Sequence, residues 1–493
     1  MKKIYILGTL IAILMMFSCR NADKTERSRI HLLTRSGKIN IEWKGEVRLS
    51  GGLPAFENND TLFSMTKTTA KKHEVILTFK GKGVSSYIVG RFQNHRNIIV
   101  LWANPNAIRE NKLMGLFFRN FPDFKQGIAY YRQNLMETTA RPLKIIYPGN
   151  IPDKMIPFSL WQYKDGVYGA AVSFRGGNYS TFLGNRNHSF GCKILSVDGL
   201  KNQGLVPIMA IGFSTEPYSL LSDITNDAVA EGATALSSLF YRPSVADYHS
   251  LWISELVDPA LERMRTHKSA QMSMIIARVV YGGEIFPFRF SKQIFKNGLT
   301  PLTYNDGSLI NTDTPALPTE DCLFQVNEAK PFKAFSMSGK NGLLAAWNVS
   351  GADSVSGYFK PSEIRGIEGT RFAVYEYFSR KAYIITDDKP VPVNLGRSGC
   401  ALYSIVRMKT KAAPIGLIDK YNSPKTILNS DITKNLMNII VKEGGTFGAV
   451  LYRRPAKVLI NDVVTSRYFY KNHLCQIYIP KEAVSPVKVS IVY

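Results

Sequence analysis

Alternating apolar and polar positions recur along the chain and predict β-strands. In residues 74–80 every second side chain is apolar, as in a half-buried strand, and residues 97–102 form a short apolar run typical of a strand buried on both sides. Further strands are predicted around residues 158–177, 189–196 and 204–213. The Asp165-Gly166 pair favours a hairpin turn. This spacing of strands and turns predicts a large N-terminal β-sandwich, a supersandwich over residues 39–215.

The pattern changes to helical spacing in the middle of the chain. A helix is predicted to begin at Pro217, where proline suits the first turn, and a second helical stretch follows at about residues 254–280. Residues 281–325 are rich in turn-forming residues. We therefore predict a small α/β middle domain, mostly helix and loop, over residues 216–330.

Strand patterns return in the last third of the chain. They are predicted around residues 342–350, 370–379, 381–388, 399–408, 437–441, 447–452, 456–460, 474–479 and 487–493. Residues 331–493 are expected to form a C-terminal β-sandwich. The predicted fold class is therefore mainly β with a small α/β middle.

The first residues have the layout of an export signal. Two lysines precede an apolar run from Ile4 to Phe17, and Cys19 follows in a context that resembles a lipobox. We expect residues 1–19 to be a lipoprotein signal peptide, Cys19 to be lipidated, and residues 20–38 to be a polar tether. The predicted location is the bacterial cell envelope, with attachment to the membrane through the lipid anchor.

Composition and charge limit the classes of fold and partner that the chain can have. At 493 residues, with 45% apolar and 20% charged residues, the chain is expected to fold into two or three globular domains. The net charge of +24 suggests a nucleic acid as a binding partner. However, the sequence has no run of five or more like charges, so we predict that the charge is scattered over the surface and that the protein binds no nucleic acid. The four remaining cysteines are widely spaced and are expected to be buried free thiols. No metal-ligand spacing is present among the histidines and cysteines, so no metal and no cofactor are predicted.

Four segments in order resemble the raffinose synthase and seed imbibition protein family, which is related to α-galactosidases. They are residues 158–185, residues 216–229, residues 306–324 (DGSLINTDTPALPTEDCLF) and residues 413–427 (APIGLIDKYNSPKTI). The resemblance implies a (β/α)₈ barrel between two β domains, with an aspartate nucleophile and an aspartate acid/base supplied by barrel strands.

The barrel strands that carry those aspartates in the family are not recognisable here. Only about twenty residues separate the predicted first helix from residues 245–250 (VADYHS), which resemble a late-barrel segment, whereas a whole barrel needs about 200. The resemblance places Asp247, His249 and Ser250 at substrate-facing positions. No catalytic pair is assigned, and the middle domain is predicted to be a truncated remnant of the barrel.

Three functions remain open at this point. The first is a carbohydrate-associated lipoprotein that binds an α-galactoside oligosaccharide and is catalytically impaired. The second is an active α-galactosidase or galactosyl transferase acting on raffinose-type oligosaccharides. The third is a non-enzymatic structural or interaction protein. A shortened barrel would leave apolar surface uncovered unless the middle segment repacks over it, which predicts either a homo-oligomer or poor solubility.

Overall fold

The computed structural model describes residues 30–56, 64–71, 74–81, 84–92, 97–109, 113–121, 123–132, 141–145, 155–174, 179–196, 204–230, 268–281, 300–314, 316–326, 328–386 and 388–493. The chain divides into two compact units, Met1–Leu239 and Phe240–Tyr493. Both are built mainly from antiparallel strands, which confirms the predicted mainly β fold class.

In the described part of the first unit, fifteen strands form one hydrogen-bonded sheet. Its main path runs β1-β2-β3-β8-β14-β13-β11-β12-β15-β7-β6-β5-β4, and β9 and β10 extend from β11. The strands are β1 (Ile30–Arg35), β2 (Lys38–Trp43), β3 (Glu46–Phe56), β4 (Ser64–Lys71), β5 (Glu74–Gly81), β6 (Val84–Phe92), β7 (Ile98–Ala103), β8 (Leu113–Phe118), β9 (Phe124–Arg132), β10 (Arg141–Ile145), β11 (Met155–Tyr163), β12 (Tyr168–Ser173), β13 (Tyr179–Arg186), β14 (Ser189–Ser196) and β15 (Val206–Ser214). A short helix, α1 (Pro105–Arg109), follows β7.

This sheet folds back on itself into a sandwich. A Cβ built on Gly90 of β6 would lie 2.9 Å from the side chain of Leu32 on β1, although β1 and β6 are not hydrogen-bonded neighbours. In the core, the ring of Trp161 lies 5.5 Å from that of Phe190 and 6.4 Å from that of Phe213, centroid to centroid. The burial of these large rings supplies much of the apolar area that stabilises the unit.

The predicted hairpin is present, and the predicted tether is wrong in its last part. Gly166 has φ +85°, which the turn between β11 and β12 requires, and Asp165 accepts a hydrogen bond from Val167 N at 3.1 Å. Strand β1, however, begins at Ile30, inside the segment 20–38 that was expected to be a tether. Ile30 is fully buried and pairs with Trp43 of β2. The end of the segment 20–38 is therefore part of the sheet, although the segment as a whole is polar.

Helix α2 (Pro217–Ala230) follows β15 and packs in the first unit. Its Leu220, Leu221 and Ile224 are buried, and it contacts β7, β12 and β15. The carboxylate of Glu216 accepts hydrogen bonds from the first free N–H groups of the helix, at 2.6 and 3.2 Å. The helix therefore belongs with the N-terminal sheet, and the segment 216–330, predicted as one domain, is divided between the two units.

The second unit contains one long helix among the residues described and seventeen strands. The helix is α3 (Lys268–Tyr281), and no helix in the described segments is long and apolar enough to span a membrane. The strands are β16 (Leu317–Pro318), β17 (Phe332–Ser338), β18 (Asn341–Trp347), β19 (Ser354–Phe359), β20 (Arg371–Glu376), β21 (Lys381–Thr386), β22 (Val391–Gly396), β23 (Cys400–Arg407), β24 (Ala412–Leu417), β25 (Ile427–Ile432), β26 (Leu436–Val441), β27 (Gly445–Leu451), β28 (Lys457–Ile460), β29 (Val463–Val464), β30 (Tyr468–Lys471), β31 (Leu474–Ile479) and β32 (Val487–Val492). Four 3₁₀ turns cover Thr300–Leu302, Glu320–Cys322, Pro361–Glu363 and Ser423–Thr426.

These strands form a six-stranded sheet, a two-stranded sheet and a C-terminal sandwich. The six-stranded sheet has the order β16-β17-β18-β23-β20-β21, and β19 pairs with β22. The sandwich joins the sheet β24-β27-β31-β30 to the sheet β25-β26-β32-β28-β29 around one apolar cluster that includes Phe447, Ile477 and Ile491. A second cluster, with Tyr375 and Val450 among its members, packs the six-stranded sheet against the sandwich.

Candidate functional site

The site residues predicted from the sequence lie outside the described part of the chain. Asp247, His249 and Ser250 fall in residues 231–267, and Cys19 falls in residues 1–29. Their predicted roles in substrate contact and lipid attachment stay predictions. The family-like segments 306–324 and 413–427 are described, and the fold brings them together.

The centre of this meeting point is a buried ion pair between Lys420 and Glu443. Their side chains are 8% and 6% exposed, and Lys420 Nζ lies 3.0 Å from Glu443 Oε1. Lys420 also donates a hydrogen bond to the carbonyl oxygen of Thr303, and Asn305 N donates one to Glu443 Oε2, both at 2.5 Å. The pair therefore fixes the loop 300–314 to the sandwich. We call this loop, with residues 416–425 and 442–443, the motif junction.

Buried amide groups hold the same loop along its length. Asn422 is 1% exposed; its Nδ2 donates to the carbonyl oxygen of Asn311 at 3.1 Å, and its Oδ1 accepts from Ser338 Oγ at 2.8 Å. Tyr421 N donates to the carbonyl oxygen of Pro301 at 3.1 Å. The tyrosine and asparagine of the segment 413–427 thus satisfy backbone groups of the loop, which is a structural role.

The acidic residue of the Asp-Gly turn in this loop is held ionised. Hydrogen bonds from the hydroxyl and N–H groups of Ser308, together with Lys442, lower the pKa of Asp306 to about 2. Lys442 Nζ lies 3.0 Å from Asp306 Oδ2 and 3.8 Å from the centroid of the Tyr304 ring. A carboxylate with this pKa accepts hydrogen bonds but cannot act as a general acid near neutral pH.

A second acidic residue of the loop is paired in the same way. Asp313 forms an ion pair with Lys425 and accepts a hydrogen bond from Gly339 N at 2.6 Å. Burial raises the pKa of Asp313, but the hydrogen bonds from Lys425 and Gly339 outweigh it, so the net pKa is lowered. The hydroxyl of Tyr304 donates to the carbonyl oxygen of Lys425 at 3.0 Å.

A separate cluster surrounds Lys333, whose side chain is 4% exposed. Its Nζ lies 3.0 Å from Asp321 Oδ2 and 3.0 Å from Glu363 Oε2, and it donates to the carbonyl oxygen of Tyr358 at 2.8 Å. Burial lowers the pKa of Lys333, while Cys322, Glu363 and Asp321 raise it and prevail. Burial raises the pKa of Glu363 despite its contact with Lys333. This network fixes the strand β17 to the turn that carries the family-like residues 316–322.

The four cysteines of the described residues are poorly reactive thiols. Cys192, Cys322 and Cys475 are buried and Cys400 is partly buried, and all four are free, as predicted. Burial raises the pKa of each thiol to about 12. A thiol with this pKa is protonated at neutral pH and is a poor nucleophile. Across the described segments, no group of three or more His, Cys, Asp or Glu side chains is placed to hold a metal ion.

The geometry of the motif junction favours structure over catalysis. Retaining glycoside hydrolysis needs two carboxyl groups that face one glycosidic bond, one of them with a raised pKa. At the junction the carboxylates of Asp306, Asp313 and Glu443 each have a lysine partner. Sequence analysis noted these segments but not the roles of Lys420, Lys442 and Glu443, because their partners in the loop 300–314 are more than a hundred residues away along the chain.

Comparison with known proteins finds one matching family model and several similar proteins. The family model described as "Raffinose synthase or seed imbibition protein Sip1" matches residues 231–360. A stachyose synthase from Pisum sativum is 24% identical over 43% of this chain and 29% of its own length. A probable galactinol–sucrose galactosyltransferase from Arabidopsis thaliana is 24% identical over 47% of this chain and 36% of its own. The matches thus span about a third of the length of these relatives.

Among solved structures, a glycoside hydrolase family 97 enzyme from Pseudoalteromonas sp. strain K8, in complex with panose, is similar to this chain. The similarity covers 77% of this chain and 99% of that one, with a TM-score of 0.40 and 8% sequence identity.

Proposed function

From its relation to the raffinose synthase and seed imbibition proteins, we propose that this chain is a carbohydrate-associated protein that binds α-galactosyl oligosaccharides without hydrolysing them. The observation that carries the proposal is that the residues of the motif junction are used in structural contacts. Its family-like segments make buried and paired contacts that hold the loop 300–314, and three of its carboxylates, those of Asp306, Asp313 and Glu443, each have a lysine partner. The fourth, Asp419, accepts a hydrogen bond from Thr446 N at 3.2 Å. Sugar contact is assigned to Asp247, His249 and Ser250, as the resemblance implies.

Calorimetric titration of the full chain with raffinose tests the binding part of this proposal. We expect a saturable heat that the Asp247→Ala variant loses, because a carboxylate is a strong acceptor for paired sugar hydroxyls. Lys381→Ala, which changes an exposed side chain on β21, is the matched control and should bind raffinose as the natural chain does. Absence of raffinose binding by a folded chain would reject the proposal.

A second candidate is a galactosyl transferase or α-galactosidase. The printed name of the relative from Arabidopsis thaliana, a galactosyltransferase, favours it. This candidate, unlike the first, requires turnover of an α-galactoside. That turnover should depend on residues of the segment 216–330. Turnover that survives in the Asp247→Ala variant would place the chemistry elsewhere in the chain.

We further propose that the chain is exported and anchored to the bacterial envelope through a lipid on Cys19. The apolar run that precedes this cysteine supports the proposal. Expression of the Cys19→Ser variant should shift the protein from the membrane fraction to the soluble fraction of the envelope. Equal membrane association of the two forms would contradict lipid anchoring.

A further inference from the structure

Basic side chains from four separate segments start from neighbouring strand ends of the six-stranded sheet and the C-terminal sandwich. They are Arg371, Lys409, Lys411, Arg453, Arg454 and Lys471, and we call them the basic rim. Five of the six are exposed and Arg371 is partly exposed. In this part of the surface the fold brings together basic residues that are separated along the chain.

Backbone pairing fixes the order of these segments. Met408 N donates to the carbonyl oxygen of Arg371 at 2.9 Å, which joins the end of β23 to the start of β20. Tyr452 N donates to the carbonyl oxygen of Lys411 at 3.1 Å, which joins the start of β24 to the end of β27. Leu451 N donates to the carbonyl oxygen of His473 at 2.8 Å, which places the β30–β31 turn beside them. The basic side chains thus start from neighbouring strand ends.

An aromatic ring lies in the middle of the rim. Tyr452 is 39% exposed, the guanidinium carbon of Arg371 lies 6.0 Å from its ring centroid, and the imidazole of His473 lies 6.3 Å away at an angle of 64°. Within the described residues, no acidic side chain forms an ion pair with any of the six basic residues. The rim is therefore an exposed cationic surface with one ring available for stacking.

We propose that the basic rim binds an anionic polysaccharide, one whose sugar units carry carboxylate or sulfate groups. Exposed arginines and lysines attract anionic polymers over several ångströms, and arginine forms paired hydrogen bonds with carboxylates and sulfates. The ring of Tyr452 offers a flat apolar face to a sugar ring between its charged substituents.

This surface is distinct from the α-galactoside site, and the choice of a polysaccharide over a nucleic acid rests on the proposed envelope function. The closing experiment keeps the two separate, because raffinose binding is measured on the same protein. If the proposed function holds but the basic rim does not bind polysaccharide, the natural chain will bind raffinose, and substitutions in the rim will not change its affinity for polysaccharide.

The test is titration of the full chain with polygalacturonate, dextran sulfate and neutral dextran at low and at physiological salt. We expect both charged polymers to bind and neutral dextran not to bind, with affinity that falls as salt rises. The triple variant Lys411→Ser, Arg453→Ser, Arg454→Ser should bind about tenfold more weakly. Preference for polygalacturonate over dextran sulfate would identify a carboxylated partner, and the reverse a sulfated one.

The matched control is Lys381→Ser, Arg467→Ser, Lys481→Ser, which removes three exposed charges near the opposite ends of the strands. It should change the affinity by no more than about twofold. Tyr452→Ser should weaken binding to polygalacturonate but not to inorganic polyphosphate, which has no ring to stack. Urea unfolding of each variant verifies the fold, and the salt dependence of the natural chain is a second readout.

Two results would overturn the inference. One is equal affinity of the rim variant and the control variant for both charged polymers. The other is tighter binding of the natural chain to single-stranded DNA or to vesicles of anionic phospholipid than to either polysaccharide.

Discussion

Two lysines of the motif junction differ in burial, and this difference predicts which of them matters more for stability. Lys420 and Lys442 each pair with a carboxylate at 3.0 Å, but the Lys420 side chain is 8% exposed and that of Lys442 is 35% exposed. In water a pair such as Lys442–Asp306 contributes little net free energy, whereas loss of one partner from a buried pair leaves a charge without compensation. The residue with the larger structural effect is therefore Lys420.

Replacement of Lys420 tests this difference. Lys420→Met should lower the free energy of unfolding by about 3–5 kcal/mol, because Glu443 would be left buried and unpaired. The matched control is Lys488→Met, since the Lys488–Asp462 pair is exposed and its loss should cost less than about 1 kcal/mol. Urea unfolding followed by tryptophan fluorescence measures both. Equal effects of the two substitutions would contradict the assignment of Lys420.

Asp306 gives the motif junction a dependence on acid pH. Its pKa is about 2 in the folded protein against an ordinary value of 3.8, because Ser308 and Lys442 stabilise the carboxylate. A lowered folded-state pKa adds stability above the unfolded value, and that stability is lost as pH falls from about 4 towards 2. The urea midpoint of the natural chain should therefore fall more steeply over this window than that of Asp306→Asn. Parallel profiles would show that Asp306 does not contribute.

At the scale of elements, apolar alternation predicted strands well where the spacing was regular. The pattern in 74–80 corresponds to β5, and the Asp-Gly turn corresponds to the β11–β12 hairpin. Strand β1 was missed because residues 20–38 are polar as a group, and the burial of Ile30 depends on its partner Trp43 in the next strand. The packing of α2 on the N-terminal sheet was also beyond the sequence, since helical spacing shows an apolar face but not what covers it.

A glycine in the segment 413–427 carries a prediction at this scale. Gly416 on β24 has φ +102°, and a Cβ there would lie 1.9 Å from the carbonyl oxygen of Ser423. Gly416→Ala should therefore lower the free energy of unfolding by about 2–4 kcal/mol, through backbone strain and displacement of the 3₁₀ turn. Gly396→Ala, where a Cβ meets nothing within 4 Å, is the control. Comparable urea midpoints for the two variants would contradict the close approach.

At the scale of the molecule, the sequence predicted two β regions and a family but not the arrangement of charge. In the motif junction, Asn305 is hydrogen-bonded to the side chain of Glu443. In the basic rim, backbone hydrogen bonds place the strand ends that carry Arg371 and Lys471 in one region. Both features depend on contacts between distant segments of the chain. The net charge of +24 gave no hint of where positive side chains collect. The resemblance located the family-like segments, while their role in holding a loop became visible only in the contacts of the fold.

The central claim is that the chain binds an α-galactoside without cleaving it. The most direct test is incubation of the purified full chain with an aryl α-galactoside, with release of the aryl group followed over time. The account predicts no release above the buffer background from a sample that binds raffinose by calorimetry. Sustained release that disappears in the Asp247→Ala variant would contradict the account and identify an active enzyme.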